Sequence, residues 1–157
     1  TTDHMEMCPA CEALLYAASR AQHVHEVIRP AVERGQLVLC DRFVDSSIAY
    51  QGGGRELGTD VVCQLNAPAV AGMLPDATVY LQIGHRLALE RRHSATLPDR
   101  IEVESAAFHA RVQAAYEKLI RDDPRRLLVV DGSQDADTVA ADVLDLVLGR
   151  LEPEIEE

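Results

Sequence analysis

The sequence predicts an α/β protein built on a parallel sheet. Three short apolar segments, residues 36–40, 77–83 and 127–130, have the length and composition of buried strands. Amphipathic helical patterns lie between consecutive strands. Because helical crossovers connect parallel strands of one sheet in a right-handed sense, a parallel sheet is the simplest topology.

The composition predicts one globular domain over residues 1–151, followed by an acidic tail at residues 152–157. With 157 residues and 47% hydrophobic content, the chain can bury a sizeable core. Its formal charge of -11 argues against a nucleic-acid polymer as partner, because polyanion binders need a basic surface. No apolar run reaches membrane-spanning length, so no membrane association is expected.

Helices are expected wherever apolar side chains recur at helical spacing. The first helix should end or kink at Pro30, and the glycine triplet at residues 52–54 should stop the second. Weak helix formers interrupt a later helix, and we interpret residues 93–99 as a candidate lid. The predicted helices span residues 12–28, 43–50, 60–71, 86–92, 102–122 and 136–148.

Four cysteines in a chain with an ordinary core predict a reducing, cytoplasmic compartment rather than a disulfide framework. Cys8 and Cys11 form a C-x-x-C pair at a helix start, where a thiol pKa can be lowered. A thioredoxin-like motif needs a strand directly before it, and zinc would need two more ligands, of which His4 could supply one. We therefore interpret the pair as helix-start residues. A thiol redox module is the alternative, and it predicts that activity is lost when the cysteines are changed to serine.

The most informative stretch is residues 41–55, DRFVDSSIAYQGGGR, which follows the first predicted strand. Open parallel sheets bind ligands at the carboxyl ends of their strands, where Asp41 and Arg42 are predicted to lie. The run adds hydroxyl groups at Ser46 and Ser47, a Tyr-Gln pair and three glycines. This set suits a small, planar, phosphorylated ligand. An ordinary strand end followed by a polar helix is the alternative.

The same run resembles the signature of bacterial thymidylate kinases. Four further stretches agree with that family in order and spacing: MCPACEALLYAASRAQHVHEVIRP, LPDATVYL, DRIEVES and VVDGSQ. The resemblance implies a three-layer α/β/α parallel sheet of the P-loop nucleoside monophosphate kinase type. It also implies transfer of the γ-phosphoryl group of ATP to dTMP with magnesium. A homodimer is implied as well, formed largely by helices such as residues 12–29 and 60–71.

The resemblance assigns four residues to the nucleoside part of dTMP. Tyr16 is expected against the thymine ring, because an aromatic face stacks on a base. Gln51 would bind the edge of the thymine through its amide. Tyr50 would close the sugar pocket, with Ser46 nearby. From the residues alone, Tyr16 could equally be a core residue.

The resemblance assigns Arg20 and Arg42 to the monophosphate. A planar, permanently charged guanidinium group suits the oxygens of a phosphate. From the residues alone, Arg20 could instead pair with Glu12 or Glu26 on the helix surface.

The donor side and the catalytic groups also follow from the resemblance. Asp41 would organise the magnesium-bound phosphates, usually through water. Ser133 and Gln134 match the loop that borders the adenine of ATP. Arginines beside the lid would neutralise charge during phosphoryl transfer. The predicted catalytic residues are Asp41, Arg91, Arg92 and Arg100.

Three features depart from the family pattern. The lid with its flanking arginines reads RRHSATLPDR, without the arginine-rich middle of many relatives, and Gln82 stands where relatives commonly have an aspartate. The sequence also lacks a G-x-x-x-x-G-K-[ST] phosphate loop, so we expect the first βα unit to be absent from the chain and the chain to be inactive alone. The alternative is a relative without a phosphate loop that binds a nucleotide or a partner without catalysis.

Overall fold

The structure, a computed structural model, describes residues 4, 6–84, 87, 88, 91, 100, 101 and 104–151. The chain divides into two compact units. The first comprises Thr1–Pro75 and Pro98–Leu119, and the second comprises Asp76–Leu97 and Ile120–Glu157.

The first unit begins with a long helical path. Cys8 is the N-cap of α1 (Pro9–His23), which continues through a π-helical segment, Val24–Ile28, into α2 (Arg29–Glu33). A proline inside a helix removes one backbone hydrogen bond, and the wider π-helical turn before Pro30 accommodates that loss. The helix was predicted to end or kink at Pro30. Instead it changes from π-helical to α-helical geometry just before Pro30 and continues to Glu33.

Three more helices complete the first unit. A short helix, α3 (Val44–Ser47), continues as a second π-helical segment, Ile48–Gly54. α4 (Thr59–Val70) contains Pro68 without interruption and ends at Ala71 in the left-handed conformation, with φ 47°. α5 (Ala106–Asp122) begins later than predicted, and its residues up to Leu119 belong to this unit.

The glycine triplet forms the last three residues of the second π-helical segment, so the helix runs past its predicted end at Tyr50 and stops at the end of the triplet. Close packing explains the three glycines, with Gly52 against the start of α4 and Gly53 and Gly54 against α5. A Cβ atom added at Gly53 would lie 2.7 Å from Cβ of Ala115, and one added at Gly54 would lie 2.6 Å from the ring of Phe108. The absence of side chains is what allows the two helices to approach so closely.

Two apolar clusters hold the first unit together. In one, Val44 and Ile48 pack with residues of α4. In the other, Ala49 packs with residues of α5, chiefly Phe108 and Val112. The segment from α3 to Gly54 therefore lies between two helices that bury its two sides, and this packing fixes the position of residues 41–55.

The second unit contains the sheet. β1 (Thr78–Gln82) pairs in parallel with β2 (Leu127–Asp131), with Thr78 opposite Leu127 and Gln82 opposite Asp131. Leu127 and Val130 are buried, and α6 (Ala136–Leu151) packs against β2. The predicted parallel pairing of these two strands is confirmed.

The prediction of a strand over residues 36–40 is wrong. This stretch has no regular secondary structure, and Leu39 is 82% exposed. A strand is stabilised by backbone hydrogen bonds to a neighbour, and no strand of the described ranges pairs with this segment. An apolar composition alone therefore does not make it a strand.

Candidate active site

Asp41 and Arg42 form an exposed corner between residues 36–40 and α3. Arg42 has φ 63°, a left-handed conformation that is uncommon for residues other than glycine. Its guanidinium carbon lies 5.1 Å from the ring centroid of Tyr50. Burial alone would lower the pKa of Arg42, but Tyr50, Tyr116 and Asp41 raise it above its ordinary value. The corner thus presents a carboxylate beside a permanently charged cation.

An aromatic group supports this corner. The ring of Tyr50 lies 6.1 Å from that of Phe108 and 6.4 Å from that of Tyr116, the second pair being edge to face. The hydroxyl groups of Ser46 and Tyr116 are 2.9 Å apart and hydrogen-bonded. Burial raises the pKa of Tyr116 to about 12, so its phenol is neutral at physiological pH. Tyr50 and Ser46, both predicted in the dTMP site, are brought together through Tyr116.

Arg20 connects α1 to α3 and α4. It donates to the carbonyl of Phe43 at 3.2 Å, to Oγ of Ser47 at 2.9 Å and to Oδ1 of Asn66. Burial lowers the pKa of Arg20, while Cys40 and Asp45 oppose that effect. The surface ion pair with Glu12 or Glu26 that the residues alone left open for Arg20 is not what the structure shows. Ser47 lies in the informative run at residues 41–55, whereas no sequence signal marks Asn66.

Tyr16 lies on α1, one turn before Arg20, and is 45% exposed. The alternative that made it a plain core residue is therefore wrong. Its exposure leaves the predicted stacking on a thymine ring open, and that role stays a prediction.

Gln51 and Arg100 converge on one buried carboxylate, that of Glu12, which is 4% exposed. Gln51 is 2% exposed, and its Nε2 donates to Oε1 of Glu12 at 2.9 Å. Arg100 donates to Oε2 of Glu12 and to the carbonyl of Met7. In this structure both side chains are hydrogen-bonded to Glu12. The roles of Gln51 at the thymine edge and of Arg100 in catalysis stay predictions.

Arg55 completes the contacts of Glu12. Its Nε and Nη2 donate to the two oxygens of Glu12, each at 3.1 Å, and its Nη1 donates to Glu104. The guanidinium carbon of Arg55 also lies 5.0 Å from the ring centroid of Phe108. No sequence signal marked Glu12 or Glu104 for this role, because their partners are distant along the chain.

In the second unit, Arg91 binds the loop that follows β2. It donates to the carbonyl oxygens of Gly132 at 2.7 Å, Ser133 at 3.1 Å and Gln134 at 2.9 Å. Hydrogen bonds from the hydroxyl and the N–H of Ser133 lower the pKa of Asp131. The structure therefore joins Arg91 to the loop of Ser133 and Gln134, which the resemblance places beside the adenine.

A hollow of about 650 Å³ opens beside this loop. Most of its lining is apolar, and the charged group that borders it belongs to Arg91. The lining residues are Leu81, Ile83, Arg91, Gly132, Gln134, Ala136, Val139 and Ala140. An apolar hollow with a few polar groups is typical of a site for a planar ring.

Several predictions lie outside the described residues. Arg92, the lid at residues 93–99 and the acidic tail at residues 152–157 are among them. Within the described ranges, no helix is long and apolar enough to cross a membrane.

The C-x-x-C pair occupies the start of α1. Sγ of Cys8 accepts a hydrogen bond from the N–H of Cys11 at 3.5 Å, which is the contact of an N-cap residue. Both cysteines are free and exposed. Across the described part of the chain, no three His, Cys, Asp or Glu side chains are arranged to hold a metal ion. The contact fits the interpretation of the pair as helix-start residues.

Comparison with known proteins identifies the class of protein to which this corner and network belong. The family model for thymidylate kinase matches residues 1–143. The chain belongs to the thymidylate kinase family.

Its relatives are bacterial. The chain is 47% identical over 147 residues to the thymidylate kinase of Pediococcus pentosaceus, covering 92% of this chain and 70% of the relative. It is 48% identical over 147 residues to that of Leifsonia xyli subsp. xyli, covering 93% of this chain and 70% of the relative. It is 45% identical over 150 residues to that of an Exiguobacterium species, covering 96% of this chain and 71% of the relative.

Proposed function

We propose that this protein is a thymidylate kinase, which transfers the γ-phosphoryl group of ATP to dTMP and yields dTDP. Family membership over residues 1–143 supports the proposal. Three relatives that are 45–48% identical to this chain are named thymidylate kinase. Their names favour an enzyme over a module that binds a nucleotide or a partner without catalysis. The observation that carries it is the Arg42 corner, where an exposed, permanently charged guanidinium is held over Tyr50.

Arg42 is proposed to bind the monophosphate of dTMP. Its left-handed backbone and its contact with Tyr50 hold the guanidinium in one direction, which reduces the entropy lost on binding. Arg20 would contribute its charge to the same phosphate while it anchors Phe43 and Ser47. Two guanidinium groups suit a phosphate dianion better than one.

The nucleoside would contact the residues around this corner. Tyr16 offers an exposed aromatic face on α1 for the thymine ring. Tyr50 and Ser46 would border the sugar, held in place through Tyr116. Gln51 would bind the edge of the thymine, with its amide orientation set by Glu12.

The donor nucleotide would use residues of the second unit and the arginines near the lid. Ser133 and Gln134 would border the adenine, and the apolar hollow beside them fits a planar ring. Arg91, Arg92 and Arg100 would neutralise charge on the transferred phosphoryl group. The corner offers magnesium one exposed carboxylate, that of Asp41. This fits an ion that keeps several waters and is otherwise held by substrate phosphates.

We also propose that the protein is a cytoplasmic homodimer. Exposed apolar side chains on α1, including Leu14 and Leu15, support a contact with a second copy. α1 packs against α4, on which Val61 is also exposed. The residue ranges of α1 and α4 overlap those that the resemblance assigns to the dimer contact, residues 12–29 and 60–71.

Titration of the chain with dTMP by calorimetry, followed by ATP with magnesium, tests the proposed function. We expect dTMP to bind and Arg42→Ala to weaken binding by on the order of 2–5 kcal/mol, because the phosphate would lose a charge-assisted partner. Arg42→Lys should bind with intermediate affinity, since it keeps the charge but loses the planar fork.

Arg34→Ala is the matched control. Arg34 is exposed and donates to Gln36, so its removal changes the net charge equally without touching the corner. If Arg42→Ala binds dTMP as tightly as the parent, the assignment of the phosphate site is wrong. If the parent binds no dTMP, the acceptor assignment itself fails.

A further inference from the structure

We propose that Glu12 is a positioning residue that orients two groups of the active site, Gln51 and Arg100, through one buried carboxylate. The proposal deepens the proposed function and rests on it, since the roles of Gln51 and Arg100 come from there. Glu12 does not need to touch a substrate for this task. It would act through the side chains that it holds.

The carboxylate of Glu12 is fully occupied. Oε1 accepts from Nε2 of Gln51 at 2.9 Å and from Nε of Arg55 at 3.1 Å. Oε2 accepts from Nη2 of Arg55 at 3.1 Å and from Nη1 of Arg100. A carboxylate has about four acceptor positions, so the four donors use all of them. Each N–H donor therefore occupies one acceptor position of Glu12. These contacts fix the orientation of the Gln51, Arg55 and Arg100 side chains.

The charges of this cluster balance. Glu12 and Glu104 face Arg55 and Arg100, and every one of these four side chains is at least three-quarters buried. Taking such charges out of water costs free energy unless every one is paired. Packed apolar side chains could hold these elements together without that cost. What the ionic cluster adds is a fixed direction for each donor.

The two groups come from different parts of the chain. Gln51 lies in the π-helical segment Ile48–Gly54, next to Tyr50 of the acceptor corner. Arg100 follows the predicted lid directly, and its second contact is with the carbonyl of Met7, just before α1. Glu12 therefore contacts the amide of Gln51 and the guanidinium of Arg100 with one side chain.

The variant Glu12→Gln tests the proposal, because it keeps the shape of the side chain and removes its charge and one acceptor oxygen. We expect dTMP affinity, measured by calorimetry, to fall by about tenfold or more. We also expect trypsin to cleave after Arg100 about tenfold faster or more under native conditions, because the released side chain becomes accessible. Cleavage after Arg111 should not change, since that side chain binds Gly54 and not Glu12.

Glu26→Gln is the matched control. Glu26 lies on the same helical path, is exposed and accepts from Gln22, so the same chemical change should leave both measurements at the parental values. Glu12→Asp keeps the charge but withdraws it by one methylene group, and it should fall between the parent and Glu12→Gln in both measurements. If Glu12→Gln does not fold, Glu12→Asp alone decides.

The outcomes separate this proposal from the proposed function. Unchanged dTMP affinity in Glu12→Gln overturns the positioning of the acceptor site, and an unchanged rate of cleavage after Arg100 overturns the hold on Arg100. Faster cleavage at every arginine would mean general destabilisation and would also overturn it. If the parent binds no dTMP, the proposed function fails, and the cleavage rates still test whether Glu12 holds Arg100.

Discussion

Tyr116 connects Ser46 to Tyr50, beside the corner formed by Asp41 and Arg42. Its hydroxyl is hydrogen-bonded to Ser46, and its ring packs edge to face against Tyr50, over which Arg42 lies. Because the phenol is buried, ionisation is unfavourable there. A neutral Tyr116 is therefore part of the geometry that supports Arg42, the residue proposed to bind the phosphate.

This burial predicts a pH dependence. The pKa of Tyr116 is raised to about 12 in the folded protein, from an ordinary value of 10.0. The protonated phenol is favoured by folding, so the stabilisation is complete below pH 10 and is lost as the pH rises toward 12. Titration of phenolate absorbance should show a late transition near pH 12.

Tyr116→Phe should remove that late transition. It should also cost about 1 kcal/mol of unfolding free energy at neutral pH, because Ser46 loses its partner. A parent protein whose absorbance shows no transition near pH 12 would contradict the raised pKa of Tyr116.

Glycines 52, 53 and 54 show how a helical segment can depend on missing side chains. They lie in the π-helical segment beside α5 and α4. A glycine inside a helix costs free energy relative to alanine. The cost is offset here by close packing of the segment, which also places Tyr50 against Arg42 and Gln51 against Glu12.

Gly54→Ala should destabilise the protein by about 1–3 kcal/mol, because the new methyl group would meet the buried ring of Phe108 at 2.6 Å and Val112 at 2.7 Å. Thermal unfolding measures the change. Gly149→Ala in α6 is the control of opposite sign. No atom lies within 4 Å of the added methyl group there, and alanine favours the helix, so a gain of up to about 1 kcal/mol is expected. An unchanged midpoint for Gly54→Ala would refute the close packing.

The exposed apolar side chains of α1 bear on the assembly state. Sedimentation velocity should give a mass twice that of the chain, and Leu15→Glu should convert the protein to a monomer, because a buried carboxylate in the contact would be unpaired. Leu144→Glu on α6 is the matched control, since Leu144 is 55% exposed against 54% for Leu15. A parent protein that sediments as a monomer would contradict the proposed homodimer.

Most helices and two strands followed from the sequence. Residues 60–71 and 136–148 were predicted as helices, and the structure has Thr59–Val70 and Ala136–Leu151. The strands at residues 77–83 and 127–130 were likewise found at Thr78–Gln82 and Leu127–Asp131. Helical and strand periodicity are properties of residues close in sequence, so they can be recognised without knowing the fold. The run at residues 41–55 identified the family for the same reason.

Contacts between distant residues decided the rest. Glu12 meets Gln51 across 39 positions, Arg55 across 43 and Arg100 across 88. Nothing in the local pattern of α1 distinguishes this glutamate from an exposed one. Two further features depend on which neighbours the chain brings close. One is whether residues 36–40 form a strand, and the other is how far the helix extends through the three glycines. Local periodicity and motifs determined the elements and the family, whereas tertiary packing alone decided which charged groups meet at Glu12, because those contacts join residues far apart in the chain.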